Sequence, residues 1–319
     1  MPATNTESPV EPDLGQPSAF VRGSLTLPAA VLETMRPKQW SKNAFVFAGL
    51  IFSGEVLNVD SVLKTVVVAF AFCLVSGATY LLNDAVDADV DRLSPRTASR
   101  PIARGDLTAE AALVAAGLAG VAGAGLAATI NWESFVTLLG YVALQVGYSN
   151  WLKHVLFVDV MAIAAGFVLR ALAGGVAIAV PISPWLLLCT GLLALFLGLT
   201  KRRGEAVALG GTPQPKRAVL ESYSVELLDE LIAVVTPSTV VAYALYAVTG
   251  AATDLMLLTV PFVMYGIFRV LFLIHHHGSL TEEPAVVIWR DRPLLVCVLL
   301  WGLCAATIVA ATGAVPDPA

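Results

Sequence analysis

Charge is what this chain has least of. Only 13% of its 319 residues are Asp, Glu, Lys or Arg, where a soluble domain carries about 25%. That scarcity excludes an ordinary soluble fold. Cysteine is sparse too. Cys73, Cys189, Cys297 and Cys304 all sit inside apolar runs, with no CxxC and no Cys/His ligand spacing. A disulfide scaffold and a thiolate zinc site are therefore not expected, and packing is left as their role. Residues 1–25 lack the apolar core of a signal peptide. They are rich in Pro, Ser, Thr and acids, and read as a disordered cytosolic tail ahead of one domain over 26–319. The net charge of −5 changes sign from loop to loop rather than by domain, and no nucleic-acid partner is expected.

What is abundant is apolar surface, at 57% of residues. It is grouped into runs of about 20 residues, the length of a membrane-crossing helix. The runs predict nine spans, at 44–57, 62–83, 108–130, 133–152, 156–179, 183–200, 230–251, 254–275 and 293–313. The first is short, and can begin earlier. The predicted fold is an all-α, polytopic bundle of nine transmembrane helices. Basic residues fall in alternate connections: Arg36, Lys38 and Lys42; then Arg92, Arg96, Arg100 and Arg104; then Lys153; then Lys201, Arg202, Arg203, Lys216 and Arg217; then Arg290 and Arg292. The opposite connections hold only Lys64. By the positive-inside rule the N-terminus and these loops face the cytoplasm, and an odd count puts the C-terminus outside. The expected location is the plasma (inner) membrane.

The second run ends in YLLNDAVDADVD, residues 80–91. Wound as a helix, Tyr80, Asn83, Asp84, Asp87 and Asp91 fall on one stripe and Asp89 on the opposite face. Three carboxylates on one stripe repel unless something cationic lies against them. Oxygen ligands of this kind suit a hard divalent cation, and Mg²⁺ commonly shares a substrate's phosphates. The plainer alternative is a solvated acidic helix end, which does not explain why Tyr80 and Asn83 join the stripe.

The same side of the membrane carries Lys38, Lys42, Arg100, Arg104, Lys153, Lys201 and Arg202 as candidate phosphate holders. Each could instead be a topology-setting charge among lipid headgroups, and Arg203, Lys216 and Arg217 are read that way. Lys38 and Lys42 lie one helical turn apart, and Lys153 sits in a very short loop. Asp159 and Arg170 both fall in the fifth span. Arg170 is near its middle, where a charge needs an interior partner. A buried ion pair is one reading of it and a substrate contact the other. Asp159, near the cytoplasmic start, suits a ribose hydroxyl or the surroundings of a metal. Tyr80 and Tyr148 could bond phosphate oxygens or anchor at the interface. Arg269 is expected to snorkel, and the histidines at 275–277 read as a wet loop.

With these residues in view, the chain resembles the UbiA superfamily of intramembrane prenyltransferases, across all nine spans. The resemblance rests on NDAVDADVD at 83–91, the span count and the sidedness. It implies a cytoplasmic-facing cavity in which Asn83, Asp84, Asp87 and Asp91 serve a Mg²⁺–diphosphate pair, with Mn²⁺ as an alternative metal. The superfamily's second acidic motif, DxxxD, is missing. KRRGE at 201–205 stands there instead. RPKQWSKN (36–43), SRPIARG (99–105), YSNWLKHVLFVDV (148–160), GFVLRALAGG (166–175) and LTKRRGE (199–205) resemble one branch, the decaprenyl-phosphate phosphoribosyltransferases. That branch implies phosphoribosyl diphosphate as donor and decaprenyl phosphate, or a similar polyprenyl phosphate, as acceptor. It also implies membrane lipids as surroundings and a product that feeds cell-wall arabinan. Asp84, Asp87, Asp91 and Asp159 are the expected catalytic acids. A prenyl diphosphate donor with an aromatic or lipid acceptor is the alternative chemistry. A transporter of a phosphorylated ligand is the alternative class, and self-association into a homo-oligomer stays open.

Overall fold

The computed structural model describes residues 25–94, 97–209, 219, 222–251, 253–277, 287 and 290–312. Nearly all of the expected tail, with Lys216 and Arg217, lies outside them. In chain order the elements begin with α1 (Leu27–Thr34), a 3₁₀ segment Pro37–Val46 and α2 (Phe47–Phe52). Next come α3 (Val59–Val86), α4 (Ala88–Arg92), α5 (Pro101–Arg104), α6 (Ala109–Ile130) and α7 (Trp132–Asn150). The chain continues through α8 (Val158–Ala177), α9 (Pro184–Leu209), α10 (Val225–Leu245), α11 (Val260–His277) and α12 (Arg292–Thr312). No strand occurs among the described residues.

Helix starts follow local side-chain chemistry. Asn58 accepts from the first-turn amides of α3, Thr108 from Ala111 in α6, Asn131 from Ser134 in α7 and Ser224 from Leu227 in α10. Each cap answers backbone donors that a lipid environment would leave unpaired. Among the described residues, seven helical stretches are long and apolar enough to cross a membrane: Val59–Val86, Ala109–Ile130, Val158–Ala177, Pro184–Ala208, Val225–Thr249, Asp254–His276 and Arg292–Thr312. The protein is an integral, multi-pass membrane protein.

The predicted first span, 44–57, is not one helix. Its course is the 3₁₀ segment, then α2, then a second short 3₁₀ turn at Glu55–Leu57. The cause is backbone contact with α8. An added Cβ on Gly174 would lie 1.8 Å from the Val46 carbonyl oxygen, and one on Gly49 would lie 2.5 Å from the Gly175 nitrogen. The tighter winding threads the chain past α8 where no side chain fits.

This segment joins the two ends of the bundle. Arg36 lies at Asp84, Asn43 at Arg170, and Phe52 packs edge-on against Tyr246. At that far end Asn131 donates to the Val176 carbonyl (2.9 Å), and Tyr243 bonds Thr259 and the Trp301 indole. The near end gathers the C-terminal ends of α3, α7 and α9 with the N-terminal ends of α8 and α10. Asn83–Ser149, Tyr148–Arg202 and Arg203–Asp229 contacts hold it together. The polar site lies there.

Candidate functional site

The acidic stripe is bent. α3 closes at Val86 and α4 opens at Ala88, with Asp87 between them at φ −87°, ψ 4°. The Asp91 amide still donates to the Asp87 carbonyl (2.8 Å), so the turn direction is kept. Asp84 and Asp91 are buried, whereas Asp87 and Asp89 are exposed. The cations that the stripe requires are the protein's own. Arg36 reaches both Asp84 oxygens, at 2.7 and 3.0 Å. Arg100, just ahead of α5, bridges Asp84 (3.0 Å) and Asp91 (2.6 Å) through one nitrogen. The carboxylates are 3% and 5% exposed and the guanidinium side chains 31% and 30%. The acids are therefore the inner layer and the arginines the outer one. Arg36 also lies over the Tyr80 ring at 4.5 Å and is held in a left-handed conformation, φ 56°. Such a backbone costs a non-glycine residue about 1–3 kcal/mol, offset here by the Asp84 contact.

Among the described residues Asp87 has no ion pair or side-chain hydrogen bond, and Asp89 pairs outward with Arg92 (2.6 Å). Asn83 donates through its side-chain amide to Ser149 (3.3 Å), leaving its side-chain oxygen Oδ1 without a protein donor among the described residues. No three His, Cys, Asp or Glu side chains among the described residues converge to hold a metal by themselves. The donor set still fits Mg²⁺, which typically takes one or two carboxylates and completes its shell with waters and substrate phosphates. Asp87 and Asn83 Oδ1 are the groups available for that. Asp84 and Asp91, expected to help them hold the metal, are committed to arginines.

A second polar cluster adjoins the first through neighbouring residues on α7. Asp159 is fully buried. Its two oxygens accept from Arg202 Nε (2.8 Å) and the Tyr223 hydroxyl (2.7 Å). Arg202 also donates to Glu205 (2.6 Å) and to Tyr148 (3.3 Å). Asp159 and Arg202, expected to touch substrate, are here committed to protein partners, because a buried charge must have its acceptors or donors paired. Lys201, half-buried, lies 4.0 Å from Glu205.

Arg170 has neutral partners, where a buried ion pair and a substrate contact were the two readings of it. It sits in the bundle interior, donating to Asn43 (2.8 Å), the Gly166 carbonyl (2.8 Å) and Tyr141 (2.7 Å), with the Tyr141 and Phe167 rings alongside. It is neither half of an ion pair nor at the polar end. Arg104 clamps α5 to α1 and the following turn, through Glu33 and Asp106, and those two acids push its pKa further up. Lys38 and Lys42 lie on the 3₁₀ segment, where about three residues make a turn. Residues four apart therefore diverge, and Lys38 is exposed while Lys42 is half-buried. Lys153 is half-buried on the short turn Leu152–His154. Tyr80 is half-buried beneath Arg36, and Tyr148 half-buried against Arg202. Arg269 pairs with Asp291 (2.8 Å). His276 stacks on Phe272, and the His277 side chain lies outside the described residues.

Sequence reasoning missed Arg36, Glu205, Ser149 and Tyr223. Glu205 had a signal, its place one turn beyond Arg202. Arg36 was hidden among topology-setting charges, and Tyr223 lies in none of the motifs quoted.

The chain is similar to known proteins in sequence and fold. The sequence profile of the UbiA prenyltransferase family matches residues 43–290. The decaprenyl-phosphate phosphoribosyltransferase of Mycolicibacterium smegmatis is 32% identical over 314 residues, covering 94% of this chain and 96% of its own. The Corynebacterium glutamicum protein of that name is 31% identical, covering 86% and 85%. Among solved structures, a UbiA homolog from Archaeoglobus fulgidus bound to GPP and Mg²⁺ superposes with a TM-score of 0.69 at 17% identity. The match covers 88% of this chain and 99% of that one.

Proposed function

The chain belongs to the UbiA prenyltransferase family, and we propose that it transfers the 5-phosphoribosyl group of phosphoribosyl diphosphate to decaprenyl phosphate or a similar polyprenyl phosphate, releasing diphosphate. The observation that carries this reading is the charge inventory of the polar end. Arg36 and Arg100 answer the buried Asp84 and Asp91, Asp87 has no ion pair among the described residues, and Lys38, Lys42, Lys153 and Lys201 add further positive charge in the segments that the basic pattern assigns to the same side. A prenyl diphosphate has one anionic end and an apolar tail. Phosphoribosyl diphosphate has anions at both ends and the acceptor adds another, so the surplus of cations fits the latter pair. The relatives' names agree with it.

Asn83 and Asp87 would hold Mg²⁺, or Mn²⁺ in its place, which neutralises the leaving diphosphate when bound. The outer arginines orient the donor's phosphates while Asp84 and Asp91 keep those arginines in place. An oxygen of the acceptor phosphate attacks C1 of the ribose, and the C1–O bond to diphosphate breaks with its electron pair. The attacking oxygen is already anionic, so no general base is needed. This accords with Asp159 being buried and committed. Rate enhancement rests on positioning and charge stabilisation. In this reading the product is a lipid-linked pentose precursor of cell-wall arabinan.

The proposed topology is nine crossings in the plasma membrane, with the N-terminus and polar end cytoplasmic. Length supports it. Ten 3₁₀ residues at about 2.0 Å and six α residues at about 1.5 Å give roughly 29 Å for Pro37–Phe52, near the bilayer's apolar thickness of about 30 Å. The 19 residues of α7 give about 28 Å by the same rise.

A second reading, with a prenyl diphosphate donor, is favoured by the GPP bound to the Archaeoglobus fulgidus homolog. Purified protein is offered labelled phosphoribosyl diphosphate with polyprenyl phosphate and Mg²⁺, and in parallel a prenyl diphosphate with an aromatic acceptor. Labelled lipid in the first reaction is expected. Product in the second alone restores the second reading.

A further inference from the structure

Tyr223 stands beyond α9, in a stretch that carries none of the motifs described above. It is nonetheless among the most enclosed residues of the polar end, 3% exposed, packed with Val219 against Val160, Phe196 and Leu228. Its hydroxyl does two things. It accepts the Phe157 backbone N–H at 2.9 Å, and it donates to Asp159 at 2.7 Å. Phe157 has a positive φ of 66°, a conformation that a bulky residue keeps only when its surroundings impose it. The Phe157 ring lies edge-on to the Tyr223 ring, 6.0 Å between centroids. One hydroxyl thus fixes both the entry into α8 and the carboxylate in its first turn.

The consequence runs inward. Asp159 has no exposed surface, and among the described residues Arg202 is its one other side-chain hydrogen-bond partner. Arg202 in turn holds Tyr148, which neighbours Ser149, the partner of Asn83. An unbroken series of contacts therefore leads from the segment after α9 to the end of the acidic stripe. Burial, and then the hydrogen bond to Asp159, push the Tyr223 hydroxyl well above its ordinary pKa, so it stays a donor across the working pH range.

We propose that Tyr223 is a positioning residue for phosphoribosyl transfer, acting on donor binding through Asp159, Arg202 and Tyr148 without touching substrate. The assignment rests on the function proposed above. It differs from a stability role in where the effect appears: the contacts end at Asn83, proposed above to hold the metal of the donor's diphosphate, so the loss should fall on donor binding.

The test uses the full chain and four variants: Tyr223→Phe, Tyr148→Phe, the double variant, and Tyr243→Phe. The last removes a buried tyrosine hydroxyl at the far end of the bundle as a control. Initial rates are measured against each substrate in turn. Tyr223→Phe should raise the KM for phosphoribosyl diphosphate about tenfold, the size of one lost hydrogen bond to a charged group, with the KM for polyprenyl phosphate unmoved. Tyr148→Phe should do the same, and the double variant should be no worse than the weaker single one, because both act through one guanidinium. Tyr243→Phe should leave both KM values alone. A fall in kcat with both KM values unchanged would mean fewer folded molecules and would overturn the assignment, as would losses that multiply in the double variant. Asp159→Asn alters the same link from its other side and carries the same expectation where Tyr223→Phe does not accumulate. A wild-type protein that makes no phosphoribosylated lipid sinks the proposed function itself. Wild-type turnover with an unmoved donor KM in Tyr223→Phe sinks this inference alone.

Discussion

Asp87 and Asp89 are two residues apart and chemically identical, yet their surroundings assign them different fates. Asp87 has no ion pair among the described residues and stands one turn from Asn83, while Asp89 is exposed and paired outward with Arg92. Asp87→Asn should abolish turnover with the melting temperature unchanged, and Asp89→Asn should leave both unchanged. Equal losses in steady-state assays would remove the distinction. Arg36→Ala should act on stability and donor affinity together. It removes two of the three charge-assisted hydrogen bonds of the buried Asp84 carboxylate, at a cost of about 1.5–3 kcal/mol, readable as a lower melting point in detergent. The stripe itself was legible, because helical spacing alone puts Asp84, Asp87 and Asp91 on one side. What neutralises it was not, since Arg36 and Arg100 lie 48 and 16 residues from Asp84 in the chain and only packing brings them there.

At the scale of elements, the capped apolar helices read directly from composition. The stretch from Pro37 to Phe52 did not, because its winding answers to backbone contact with Gly174 and Gly175 of α8, which its own residues do not announce. Gly174→Ala would set a methyl group against the Val46 carbonyl, whereas Gly117 on α6 has open space around it. Gly174→Ala should destabilise the protein by about 1–3 kcal/mol through overpacking, and Gly117→Ala should not. Melting curves of the two variants in the same detergent decide it. A similar drop in both would mean that helix propensity, not close approach, is being measured. The commitment of Arg202 to Asp159 and Glu205 was equally hidden, since a basic loop and a buried ion network look alike in a list of residues.

For the whole molecule, the nine crossings proposed above would place the two termini on opposite sides. Asn5→Cys and Asp317→Cys, tested separately in intact cells with a membrane-impermeant thiol reagent, should label only at position 317. Labelling of both, or of neither, would break the count. The largest departure from a sequence-level account is the interior arginine. Arg170 is 6% exposed and, among the described residues, its hydrogen bonds go to neutral groups: Asn43, Gly166 and Tyr141. All three precede it in the chain. As the polypeptide emerges from the ribosome and enters the bilayer, the amide, the phenol and the carbonyl that receive this charge are already in place. The charged helix therefore never has to wait in lipid for a later partner, and a circular permutant that delivers Asn43 and Tyr141 after Arg170 should insert poorly from the same residues.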